Sequence, residues 1–109
     1  MTTTTVFVSI GRNVGNKPLP AKKWQAFQWR TGAILAHVAP ILAKFTGQGT
    51  WEGQTEETAG WLVSFPSLQQ AEETRAFLHL VASECYGQES VGFTVHGANP
   101  WPNSYTGDD

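Results

Sequence analysis

The run from Phe45 to Phe65, FTGQGTWEGQTEETAGWLVSF, sets the terms for the rest of the chain, because it reads as two strands joined by a polar turn. Its first arm carries Phe45 and Trp51 among glycines at 47, 49 and 53. Its second arm, Trp61-Leu62-Val63-Ser64-Phe65, is the most strand-like stretch present, aromatic and branched and closed by Pro66. The polar residues Gln54 to Thr58 are expected to form the turn, with Gly60 opening the return strand.

Elements on either side follow from periodicity. Val6-Phe7-Val8-Ser9-Ile10 alternates as a strand does, with Val6, Val8 and Ile10 on one face. Gly11 to Pro20 holds the glycines, asparagines and prolines of a loop. From Ala21 the spacing becomes helical: Trp24, Phe27, Thr31, Ile34, Leu35 and Val38 share a face, and Pro40 stops the helix. A second helix starts at Ser67, which forms a capping box with Gln70. Its expected buried stripe is Ala71, Thr74, Leu78, Val81 and Cys85, with Phe77 beside it, and Gly87 is placed to end it in a left-handed conformation. A last strand runs from Glu89 to His96.

Strand, helix, strand, strand, helix, strand with right-handed crossovers predicts an α+β domain. The arrangement is ferredoxin-like βαββαβ, a four-stranded antiparallel sheet with two helices on one face. The expected organisation is one domain over residues 1–97 and an extended C-terminal tail over 98–109, where Trp101 stands between Pro100 and Pro102. One parity of the third main strand, Trp61, Val63 and Phe65 or Leu62, is expected to join Phe7 on the uncovered face of the sheet. An aromatic patch of that size calls for a cover: a second copy in a homodimer or larger homo-oligomer, the Trp101 tail, or a ligand.

The formal charge of −2 hides a polar layout. No acidic residue precedes Glu52, while six basic ones do; from Glu52 onward nine acidic residues face one basic residue, Arg75. Either the two halves attract within one molecule, or a basic face receives an anion or an acidic partner. Arg12, Asn13, Lys17 and Lys23 would form that face, at the glycine loop and helix start. Gly11-x-x-x-Gly15-x-Lys17 matches neither the Walker pattern nor the dinucleotide fingerprint, so no cofactor is implied. His37, His79 and His96 lack ligand spacing and the one cysteine, Cys85, has no partner, so no metal is implied and an inert core thiol is expected. The excess of negative charge argues against nucleic acid. The start of the chain has no basic segment followed by an export-length apolar run, and no stretch is apolar enough to span a bilayer, so a cytoplasmic protein is expected.

Several motifs carry a resemblance: Trp24 and Phe27 in the first helix, Gly49-Thr50-Trp51-x-Gly53, Glu56 and Glu57 before the next strand, and Tyr86-Gly87-Gln88-Glu89-Ser90-Val91. Over about Val6 to Val95 the chain resembles small proteins of unknown function from actinobacteria and their phages. That resemblance implies a ferredoxin-like fold, assigns no activity and transfers no catalytic residue. Exported bacterial members carry a signal segment absent here, which leans toward the phage type.

The function expected from these readings is that of a small non-enzymatic, phage-encoded protein that binds a host protein or sequesters a small anionic ligand. Its binding residues would be Arg12, Asn13, Lys17, Lys23, Trp51, Glu57, Trp61 and His96. The alternative is a small enzyme made by a dimer of such domains, with a pocket between open sheets lined by Phe7, Trp61 and His96.

Overall fold

In the computed structural model, which describes residues 3–51 and 53–96 (for Trp51 the backbone alone), the chain runs β1 (Thr4–Gly11), β2 (Asn13–Val14), β3 (Lys17–Pro18), α1 (Ala21–Val38), β4 (Ile41–Trp51), β5 (Gln54–Phe65), α2 (Leu68–Tyr86) and β6 (Gly92–His96). The sheet order is β4-β5-β1-β6 with every pairing antiparallel, and β1 and β5 are central. This is the ferredoxin-like α+β architecture expected from the sequence. The tail expected over 98–109 lies outside the described residues.

Strand alternation decides what the helices cover. Val6, Val8 and Ile10 of β1 and Ala59, Trp61, Val63 and Phe65 of β5 are buried with Trp24, Phe27 and Leu35 of α1 and Ala71, Leu78 and Ala82 of α2. Phe27 stacks on Tyr86 with ring centroids 4.5 Å apart, tying the start of α1 to the end of α2. The helix ends are as the sequence signals them. Ala39 is extended before Pro40, Ser67 Oγ accepts from the Gln70 N–H at 3.1 Å, and Gly87 is left-handed at φ 67°.

Four local expectations are corrected. The hairpin turn is not Gln54–Thr58: Trp51 already pairs with Gln54, Gly53 supplies the positive φ of 79°, and Gln54 to Thr58 belong to β5. A two-residue hairpin turn is marked by a residue that tolerates positive φ, here Gly53, and not by polarity. The Gly11–Pro20 loop contains a miniature hairpin, β2 with β3. Cys85 is exposed, and so is Phe77 at 51%. The buried stripe of α2 passes through Val81 and Ala82 instead, and Tyr86 takes the contact at its end. Leu62, not Trp61, is the β5 residue that joins Phe7 on the open face. Their registers are paired, and Trp61 lies 2% exposed beneath the helices.

Candidate functional site

The open face of the sheet divides into two parts. One end is aromatic: Phe7 and Phe45 meet edge to face at 5.8 Å, and the Phe7 ring lies over Gly60, where an added Cβ would stand 2.9 Å from its Cε1. The other end is a cleft of about 580 Å³, within the roughly 300–1,000 Å³ typical of small-molecule sites.

Alternation builds the cleft floor. Ser9 and Gly11 of β1, Gly49 of β4, Glu56 and Thr58 of β5 and Gly92 of β6 share the open-face parity and all line it. Glycines 11, 49 and 92 make room on the floor for the neighbouring side chains of Glu56, Thr58 and Ser9. The Ser9 hydroxyl fills the space a Cβ on Gly92 would need, and the Glu56 carboxylate does the same over Gly11. Asn13, from the miniature hairpin, donates its backbone N–H to Glu56 Oε2 at 3.2 Å. Gln88, Glu89 and Ser90, in the segment between α2 and β6, form another wall. Glu56 and Glu89 are the charged residues lining the cleft, so its field is negative.

The expected site residues are scattered around this cleft rather than gathered in it. Asn13 is at its edge. Arg12 is occupied: its Nε donates to the Leu19 carbonyl at 2.7 Å and its guanidinium bonds Glu57 Oε2 at 2.7 Å. Glu57 is thereby a structural partner, on the opposite side of β5 from Glu56. Lys17 and Lys23 are exposed and do not line the cleft. Trp61 is core, with the Lys44 ammonium 5.7 Å from its ring centroid. His96 is exposed and pairs with Thr5, four residues along β1 from Ser9, or about 13 Å away at strand rise. The Trp51 side chain lies outside what the structure describes. The pocket expected from Phe7, Trp61 and His96 therefore does not form within one chain, because Trp61 faces the helices.

The sequence reading did not single out Glu56, Ser9, Gln88 and Glu89 as site residues. Two signals for them were present: the glycines at 11, 49 and 92, which clear space for the side chains beside them, and the Gln88-Glu89-Ser90 run. The cleft carries carboxylates and not the basic residues on which an anionic ligand was expected.

No family model matches the chain, and no curated protein matches it. Among the solved structures that share its fold are two of a phage SAM lyase. A phage SAM lyase in complex with S-methyl-5'-thioadenosine is 22% identical, covers 86% of this chain and 80% of its own, and superposes with a TM-score of 0.50. A phage SAM lyase in the apo state is also 22% identical, with coverages of 85% and 78% and a TM-score of 0.51. At that identity the likeness concerns the fold. The expected non-enzymatic binding protein is not what these neighbours point to: both are lyases, one in complex with S-methyl-5'-thioadenosine, and they favour the alternative of a small enzyme. No helix among the described residues is long and apolar enough to cross a membrane.

Proposed function

We propose that this chain is a lyase that binds S-adenosylmethionine in the glycine-floored cleft and releases S-methyl-5'-thioadenosine. The observation that carries the reading is the fixed, acidic wall of the cleft, with Glu56 held by the Asn13 N–H over Gly11. The fold shared with phage SAM lyases supports it. S-adenosylmethionine carries a sulfonium and an α-ammonium, and two carboxylates with no lining cation among the described residues suit a cationic ligand.

The chemistry asks little of the protein as acid or base. One oxygen of the substrate's own carboxylate attacks its Cγ, the Cγ–S bond breaks, and the electron pair stays on sulfur. The products are the neutral thioether S-methyl-5'-thioadenosine and homoserine lactone; no water is consumed and no proton moves to the protein. Opposite charges disappear as the transition state forms, so removing water from the reacting groups assists the step. A carboxylate held against the sulfonium would favour the ground state over the transition state. Glu56 and Glu89 therefore serve the α-ammonium, whose charge survives the reaction. The cleft positions the nucleoside and leaves the chain of the substrate curled for in-line attack.

The test is incubation with S-adenosylmethionine in water labelled with heavy oxygen, followed by mass spectrometry. The expected products are S-methyl-5'-thioadenosine and unlabelled homoserine lactone. Absence of the thioadenosine overturns the assignment, and labelled homoserine as the first product makes the protein a hydrolase. We further infer that a second copy covers the aromatic end of the open face, where Phe45 is 49% exposed beside Phe7. Light scattering that returns a monomer overturns that part alone.

A further inference from the structure

Gln88 is 8% exposed, lines the cleft, and its Nε2 has no hydrogen-bond partner among the described residues. Its place is fixed by the backbone. After the left-handed Gly87, the Gln88 N–H reaches back to the Ala82 carbonyl at 3.0 Å and ties this residue to the end of α2. A buried carboxamide donor without an acceptor is costly, and native proteins leave few of them without a use.

Resting on the lyase reading above, we infer that Gln88 is the donor that holds the substrate's α-carboxylate and aims it at Cγ. The substrate's ammonium and carboxylate sit on the same carbon, so the donor for one belongs beside the acceptor for the other. Gln88 and Glu89 are consecutive and both line the cleft. The charge type fits the chemistry as well. An arginine or lysine would bind the carboxylate more tightly but would draw off the negative charge that performs the attack. A neutral amide orients the oxygen and leaves it nucleophilic. The residue also confers selectivity, since a ligand lacking the carboxylate gains nothing from it.

The experiment compares Gln88→Met, which keeps the volume and removes the donor, with Gln88→Glu, which keeps the shape and sets a negative charge against the carboxylate. Thermal melts confirm that each variant is folded. Turnover of S-adenosylmethionine and calorimetric binding of S-methyl-5'-thioadenosine, which has no carboxylate, are then measured. Gln88→Met is expected to lose roughly 10- to 150-fold in kcat/KM, the range for a hydrogen bond to a charged group, with thioadenosine affinity within about twofold of wild type. Gln88→Glu is expected to lose more turnover. An equal loss of thioadenosine binding overturns the inference by moving Gln88 to the nucleoside, and unchanged turnover overturns it outright. If Gln88→Met fails to fold, Gln88→Glu alone decides by the same two measurements. Failure of the wild type to cleave S-adenosylmethionine sinks the lyase reading instead, so the two failures are distinct.

Discussion

Gly11→Ala separates stability from function more sharply than any other single change in this cleft. A methyl at Gly11 would stand 2.7 Å from the Glu56 carboxyl carbon, too close to coexist with it. The colliding atoms are the far end of a half-buried side chain, so Glu56 swings away at small cost, giving up only the 3.2 Å bond from Asn13 N–H. Against that loss, alanine stabilises a strand position by about 0.5–1 kcal/mol relative to glycine, and Gly11 is not among the positive-φ glycines that forbid the exchange. Global stability should therefore stay within about 1 kcal/mol of wild type, or roughly 4–8 °C in Tm for a chain of this size. Ligand binding should not survive so well. Removing Glu56 from the α-ammonium forfeits a charge-assisted hydrogen bond of about 1.5–3 kcal/mol, a loss of roughly 10- to 150-fold in kcat/KM for S-adenosylmethionine. Glu56→Gln should lose a similar factor, and because both changes act on one group, the double variant should be no worse than the weaker single. Full activity in Gly11→Ala, or additive losses in the double variant, would refute the argument that Gly11 is bare in order to seat Glu56.

The remaining expectations test the frame around the site. Gly87→Ala places a Cβ at φ 67°, at a cost of about 1–2 kcal/mol by urea denaturation, and should also lower turnover because Gln88 is anchored by that turn. Ser67→Ala removes the acceptor for the Gln70 N–H and should cost about 1 kcal/mol with activity intact. Leu35→Ala, at a fully buried position between α1 and the sheet, should cost about 2–5 kcal/mol, read from the urea midpoint. Arg12→Met breaks a part-exposed pair with Glu57 and leaves the Leu19 carbonyl without its side-chain donor. A loss of about 1 kcal/mol is expected, smaller when compared at high salt, whereas a role in anion capture would instead show as lost ligand binding at unchanged stability.

The order of elements was legible because each carries its own local signal: alternation at Val6 to Ile10, the Trp24-Phe27-Thr31-Leu35 stripe, the Ser67 cap and the Gly87 stop. Each depends on residues near one another in sequence. The cleft depends on four strands arriving side by side, and its glycines at 11, 49 and 92 come from three of them. No local pattern announces that convergence. Cys85 and Phe77 were misjudged for a related reason: helical spacing identifies a face, but only the packed sheet determines how far along the helix that face stays covered.

The position of the turn decides which charges face the cleft. If Glu56 and Glu57 sat on a turn they would be adjacent solvated charges, and the basic residues of the first half would be left to define the site. In β5 they point to opposite sides of one strand. Pairing of β1 with β5 then brings the Arg12 backbone N–H to the Glu57 carbonyl at 2.9 Å and the Arg12 guanidinium to the Glu57 carboxylate, so the most inward basic group is consumed within the fold. The same register turns Glu56 over Gly11 on the open face, where Asn13 fixes it. The attraction between a basic first half and an acidic second half thus operates inside one molecule at this pair. What remains facing the cleft is the Glu56 carboxylate beside it, which is why the lyase reading proposed above assigns it to the substrate's ammonium.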